Sequence, residues 1–306
     1  MRPLKNLCEL AVIGAGVAGL AAARHAARLG CLVTLFEGSG LFGGLVATRD
    51  EVDGLLMPGK YSGQALAIHL LEEARRAAVR VVDTSITRMA IGERLTLTDE
   101  QYRTYHPEVV VIASGASLRK LGVPREEDFL GRGVSRCATC DGAFFRGQDV
   151  VVVGGGDGAV QEALVLAKTS RRVVMICRSP LKAKRDYIEK IAARENVSFM
   201  WDSEIGAILG EDGVSGVSVR NLKSGVSSDI ECAGLFPFIG VIPNTGFVPT
   251  TLLSASGYVN TGPVFATADP RVFAVGAVRG DYGGNVIQAM AEGVGAADSA
   301  ARLLFN

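Results

Sequence analysis

Residues 137–141 read Cys-Ala-Thr-Cys-Asp: two thiols separated by two residues, with a carboxylate beside the second. Cysteines at that spacing can form a static staple, contribute to a metal clip, or cycle between dithiol and disulfide. Cycling makes particular demands. Thiolate, not thiol, is the attacking species, so the local field must lower the pKa of one cysteine, and a helix starting at the pair helps. A neighbouring carboxylate can accept and return the protons. The other four cysteines are Cys8, Cys31, Cys177 and Cys232. The first three sit in or beside apolar, strand-like runs and read as inert buried thiols.

Two further constellations are built from glycine. In ELAVIGAGVAGLAAARHAARLGCLVTLFEG a buried strand (Leu10 to Ile13) runs into a glycine turn, then an alanine-rich helix (Val17 to Leu29) and a second strand (Leu32 to Phe36) closed by Glu37. Gly14, Gly16 and Gly19 give G-x-G-x-x-G, and Glu37 lies 18 residues past the last glycine. This is the full dinucleotide-binding fingerprint. The first glycine allows the tight turn, the second lets a pyrophosphate approach, and the third lets helix and strand pack closely. The helix N-terminus attracts the phosphates and the acid can accept bonds from a ribose. The pattern recurs in QDVVVVGGGDGAVQEALVLAKTSRRVVMICRS, with Gly154, Gly156 and Ala159, so the chain contains two nucleotide-binding modules.

These modules need scaffolds, and the composition provides for them. With 306 residues, 48% of them apolar, two domains with substantial cores are expected. The 32 basic and 32 acidic residues balance, giving no sign of a nucleic-acid partner. Met1 to Lys5 is basic and Leu10 to Ala23 apolar, superficially a secretory signal, but Glu9 precedes the run and the glycine fingerprint explains it better. No charge-free stretch reaches membrane-spanning length, so a soluble cytoplasmic protein without a membrane partner is expected. Residues 108–115, 233–245 and 270–280 read as strand-to-turn segments, Asn285 to Leu304 as a helix with small residues where it could pack against a ligand, and 47–60 as a loop. The fold class is α/β, with two Rossmann-like, three-layer domains.

The order of these parts, together with GASLRKLGVPREEDFLG, GRGVSRCATCDGAFFRG, GGGDGAVQEAL and PNT, resembles the low-molecular-weight thioredoxin reductases over nearly the whole chain. The resemblance implies a discontinuous FAD domain of residues 1–115 and 242–306, with an NAD(P)H-binding-like domain of 116–241 inserted and carrying the cysteine pair. It assigns Gly14, Gly16, Gly19, Glu37, Gly276 and Asn285 to FAD, and Gly154, Gly156, Ala159 and Arg178 to the second nucleotide. Cys137 and Cys140 become the redox disulfide, with Cys140 nearest the flavin, and Asp141 the acid that handles the dithiol's protons. Which cysteine bonds the partner is left open. A zinc site would want a second ligand pair, and His25, His69 and His106 are far away in sequence, so no metal is expected. A staple over two residues closes almost no loop. Redox use is the reading.

Three departures from the family concern electron entry and the flavin. Where the family has His-Arg-Arg and a third arginine four residues on, this chain has Cys177, Arg178, Ser179 and Ala183. Losing two charge-assisted contacts at roughly 1.5–3 kcal/mol each removes about 3–6 kcal/mol, on the order of two to four decades in affinity for NADPH. Lys182, Lys184 and Arg185 stand nearby as substitutes, and no acid closes the strand to favour NADH. Ala277 follows Gly276 where the family's aspartate bonds the FAD ribityl chain, and Gly284-Asn285 replaces an Arg-Gln pair beside the flavin. The last change puts the family's domain rotation in doubt.

The expectation is an FAD-dependent disulfide oxidoreductase and homodimer, passing electrons to a thioredoxin-like protein or a small disulfide. The lost arginines point away from NADPH as the ordinary donor and toward a ferredoxin or a second flavin. The alternatives are a flavin dithiol oxidase, an ordinary NADPH-dependent reductase with a remodelled phosphate site, and a flavin-binding sensor without turnover.

Overall fold

The computed structural model describes residues 8–53, 55 and 61–306. Met1 to Lys5 and Pro58 lie outside them. The residues divide into two compact units, one taking the chain up to Ser117 and from Pro243 to Asn306, the other Leu118 to Ile242. Along the chain, β1 (Leu10–Ile13), α1 (Val17–Arg28), β2 (Val33–Glu37), α2 (Gly63–Arg76), β3 (Arg80–Asp83) and β4 (Val109–Ile112) belong to the first unit. The second contributes α3 (Ala138–Asp141), β5 (Asp149–Val153), α4 (Asp157–Leu166), β6 (Arg172–Cys177), α5 (Arg185–Ala192), β7 (Val197–Trp201) and β8 (Gly234–Pro237). The chain then completes the first unit with β9 (Val272–Ala274) and α6 (Val286–Phe305).

Each unit is a parallel sheet between two layers. In the first the strand order is β9-β4-β1-β2-β3, with Leu10 opposite Val33 on one side and Val109 on the other. Strand side chains alternate between faces. Leu10 and Val12 therefore join a core with Leu20, Ala22 and Ala296, while Ala11 and Ile13 join Met89, Leu95 and Leu97 of an antiparallel sheet on the other face. The second unit repeats the scheme in the order β7-β6-β5-β8. There Val150 and Val152 face Val160, Ala163 and Leu166 of α4, and Val151 and Val153 face Ile205, Val217 and Val219. Runs buried on both faces explain why these strands read as continuous valine and isoleucine.

Small residues set the helix packing. A Cβ on Gly293 of α6 would lie 2.3 Å from the Ala18 carbonyl oxygen of α1, so the two helices meet backbone to backbone. The expected loop at 47–60 begins inside a short 3₁₀ turn, Gly44–Thr48. β1, α1, β2 and α6 start and stop within one residue of the expected positions, and the strand-to-turn segments at 108–115 and 270–280 contain the shorter strands β4 and β9. Among the described residues no helix is long and apolar enough to cross a membrane.

Candidate functional site

The first glycine turn follows β1. Gly14 has φ +100°, and a Cβ there would lie 2.5 Å from the Ala113 carbonyl oxygen; one on Gly19 would lie 1.9 Å from the Gly14 oxygen. Gly16, the N-cap of α1, faces open space, with no side-chain cap and no acid in the first turn. The helix start is thus a bare set of amides able to receive an anion. Glu37 ends β2 half-buried, taking the Ala15 N–H at 2.8 Å on one oxygen and the Ser39 N–H and hydroxyl at 2.7 and 2.6 Å on the other. About one of its four lone-pair sites is left for a ribose hydroxyl.

Gly276 joins this turn, since a Cβ on it would lie 3.0 Å from that of Ala18. Its N–H donates to buried Glu292 at 2.7 Å. The other Glu292 oxygen receives Arg279 at 2.7 Å and Gln288 at 2.8 Å. Asn285 caps α6, its side-chain oxygen accepting the Gln288 N–H at 2.7 Å, so this part of the side chain is committed to the helix.

In the second unit Cys137 and Cys140 are disulfide-bonded with Cα atoms 5.3 Å apart. Cys137 is the N-cap of the short turn α3, and its sulfur accepts the Cys140 N–H at 3.0 Å. A thiolate at Cys137 would take the same bond, which favours the charged form. Cys137 is buried and Cys140 exposed. Buried Ser135 donates to Asp141 at 2.6 Å and accepts the Cys137 N–H at 3.1 Å, tying the acid to the pair through one hydroxyl. Behind the pair, Glu162 of α4 accepts the Ala138 N–H at 2.6 Å and is only 2% exposed. On the outer side Phe144 is 78% exposed.

The same helix α4 starts at the second glycine turn. A Cβ on Gly154 (φ +129°) would lie 2.2 Å from the Phe238 oxygen, and Gly156 is an N-cap facing open space. Ala159 packs under the turn, its Cβ 3.1 Å from the Cβ position of Gly154. The segment after β6 folds back over this turn: the Lys182 N–H donates to the Gly155 oxygen and the Lys184 N–H to Asp157, at 2.8 and 2.7 Å. The resulting cleft of about 330 Å³ is lined by Leu121, Ile176, Phe238 and Ile239, by Glu204, which pairs with Arg220, and by the cations Arg178 and Lys182. Neither of these two cationic side chains has a hydrogen-bond or ion-pair partner among the described residues. Cys177, at the end of β6, donates its S–H to the Gly154 oxygen at 3.3 Å, and burial pushes this thiol up to about 11.

A model of the pyridine nucleotide-disulphide oxidoreductases matches residues 8–293. The chain belongs to that family. Among pyridine nucleotide-disulphide oxidoreductases it is 35% identical over 297 residues to the thioredoxin reductase of Treponema pallidum, covering 96% of each chain. It is 34% identical over 282 residues to that of Streptomyces coelicolor, covering 90% of this chain and 87% of the other. The solved thioredoxin reductase of Lactococcus lactis superposes with a TM-score of 0.92 at 32% identity, covering 97% of this chain and 99% of that one. It is an oxidoreductase of the thioredoxin-reductase type, with FAD as the cofactor of the family. The open amide cradle at Gly16 fits a pyrophosphate, and Glu37 fits a ribose.

The structure thus gathers Gly14, Gly16, Gly19, Glu37 and Gly276 around one helix start, and Cys137, Cys140 and Asp141 around one short turn. Gly154, Gly156, Ala159 and Arg178 gather at the cleft. Sequence reasoning missed Ser135, Glu162, Arg279 and Glu292. A carboxylate inside an otherwise apolar helical face was the available signal for both glutamates. Among the described residues no cluster of three or more His, Cys, Asp or Glu is placed to hold a metal.

Proposed function

We propose that the protein is an FAD-dependent reductase of a thioredoxin-like partner and that its second nucleotide cleft is a weak site for NADPH. The observation that carries the reading is the Cys137–Cys140 disulfide with Asp141 coupled to it through Ser135. Gly14, Gly16, Gly19 and Gly276 would hold the FAD diphosphate and Glu37 its adenosine ribose, assigning FAD to the first unit. Bound FAD, once reduced by the donor, would supply the two electrons that open the disulfide. Opening also takes two protons, and Asp141, next to Cys140 in the chain, would be their point of entry. A thiolate of the dithiol attacks the partner's disulfide, the second thiol resolves the mixed disulfide, and the partner leaves as a dithiol. Exposed Phe144 offers the partner an apolar contact beside the pair. The family likeness also supports a cytoplasmic homodimer.

For the donor, Arg178 and Lys182 supply two free cations where the family pattern has three arginines. Lys182 is a point charge and not a bidentate fork. One lost charge-assisted contact of roughly 1.5–3 kcal/mol weakens NADPH binding by about one to two decades. Anaerobic mixing with NADPH or NADH, followed at the visible flavin maximum, tests this. Slow bleaching that saturates well above micromolar NADPH is expected; fast bleaching at micromolar NADPH would overturn the weak-site reading and leave an ordinary NADPH-dependent reductase. Brisk reduction by a ferredoxin or a reduced flavin would assign the donor. Reduction of thioredoxin, followed by the release of its thiols, tests the partner. Oxygen uptake driven by a small dithiol, without thioredoxin reduction, would make the protein a dithiol oxidase instead.

A further inference from the structure

We propose that Glu162 is a positioning residue of the redox pair: a buried anion that holds the Cys137–Cys140 turn in place and poises the pair as a reductant. The proposal rests on the reading of residues 137–140 as a thiol–disulfide exchange centre. The buried face of α4 carries Ala159, Val160, Ala163 and Leu166, and Glu162 is the one carboxylate among them. Leucine or methionine would fill that position at lower cost, because a buried carboxylate is tolerated only when hydrogen-bonded. One of its oxygens accepts the Ala138 N–H, between the two cysteines, at 2.6 Å. A contact that short is characteristic of a charge-assisted bond. It anchors the turn to a helix that also begins at the second glycine turn, so one rigid element fixes the pair and the nucleotide cleft.

The electrostatic consequence has a definite sign. Ser135 ties up Asp141, and Lys184 lies against Asp157 at the far end of α4, so neither carboxylate takes over the role of Glu162 behind the pair. A negative charge in an apolar environment beside the pair opposes the thiolate that the Cys140 N–H favours at Cys137. Disfavouring thiolate disfavours the dithiol form relative to the disulfide. The dithiol then gives up its two electrons more readily, as a pair that must reduce a partner requires.

The test uses the full-length, FAD-loaded protein equilibrated anaerobically at pH 8 with graded ratios of reduced and oxidised dithiothreitol. In that exchange the Cys137–Cys140 bond opens to two thiols while dithiothreitol closes to its cyclic disulfide, so two electrons and two protons balance. After an acid quench, alkylation and peptide mass give the redox state. Glu162→Gln keeps the acceptor for Ala138 and removes the charge. It is expected to shift the equilibrium about tenfold toward dithiol, close to 30 mV, and to speed alkylation of reduced Cys137 several-fold. Glu162→Met, neutral and without the acceptor, is expected to shift it in the same direction and serves if the glutamine variant folds poorly. Glu162→Asp keeps the charge and is expected to stay within about twofold of the parent. Neutral variants with the parent's equilibrium, or an aspartate variant that shifts as far as the glutamine one, would overturn the proposal. A parent pair that dithiothreitol does not open removes the exchange-centre reading and this inference with it. A pair that opens normally but ignores the charge at 162 removes only the role of Glu162.

Discussion

At the scale of single residues, the chemistry depends on which groups are charged and what holds them. Asp141 accepts from Ser135, and that hydroxyl also receives the Cys137 N–H, so the acid is tied to the backbone of the redox turn by fixed bonds. Asp141→Asn keeps the shape and removes the proton acceptor. Its turnover in thioredoxin reduction is expected to fall about a hundredfold, the low end for loss of a general acid–base group, with the flavin spectrum unchanged. The remaining cysteines behave oppositely. Burial pushes Cys177 up to about 11 and Cys232 to about 12, from an ordinary value of 9.0. Below pH 9 these thiols are neutral whether the protein is folded or not. Between pH 9 and about 11–12 the unfolded chain loses these protons first, so the unfolded state binds fewer protons and stability falls as pH rises. Urea midpoints measured from pH 8 to 11 should decline, and Cys177→Ala with Cys232→Ala should flatten the decline; an unchanged slope would refute the cause. Glycine spacing, Glu37 and the cysteine pair were legible in the sequence because each is a local pattern with its own geometry. Ser135 was not, because a serine in GRGVSRC looks solvated until tertiary packing buries it, and Glu162 showed only as a carboxylate on an apolar helical face, with nothing to say what it bonds.

At the scale of elements, the segment from Arg178 to Lys184 decides what the second cleft can hold. It is pinned to the glycine turn by Lys182 and Lys184 backbone bonds, which fix where its side chains can reach. Restoring Ser179→Arg and Ala183→Arg together is expected to tighten NADPH by about one to two decades, the roughly 1.5–3 kcal/mol of the one charge-assisted contact that Lys182 does not replace. Flavin bleaching against NADPH concentration reads this directly. No gain would mean that the pinned loop holds positions 179 and 183 away from the phosphate. The loop's sequence told what was missing but not that Lys182 lines the cleft, because a basic run carries no signal of which side chains turn inward. Helix packing was legible only in part. The small residues of α6 read as a surface for a ligand, whereas Gly293 meets the Ala18 backbone of α1. Gly293→Val puts side-chain atoms where the Ala18 backbone lies and is expected to cost about 1–3 kcal/mol or more by overpacking, measured as a loss of urea midpoint.

At the scale of the whole molecule, two units with separate sheets and separate cores should not melt as one. The repeat of the glycine fingerprint made the duplication readable from the sequence. The chain's return to the first unit rested on the family likeness, because short strands such as β9 carry little pattern of their own. The proposed cofactor assignment sharpens the thermal behaviour. FAD held by Gly14, Gly16, Gly19 and Glu37 binds the folded first unit and stabilises it by mass action, at about 2.7 kcal/mol when free cofactor is a hundredfold above its dissociation constant. The second unit has its own parallel sheet and none of those residues, so it gains nothing from them directly. Calorimetry of the FAD-stripped protein is therefore expected to show two transitions, and adding FAD should raise one and leave the other in place. NADPH, if the second cleft holds it weakly, should raise the other only at high concentration. If FAD instead moves a single merged transition, the units unfold cooperatively, and the separate cores are coupled more strongly than their separate packing implies.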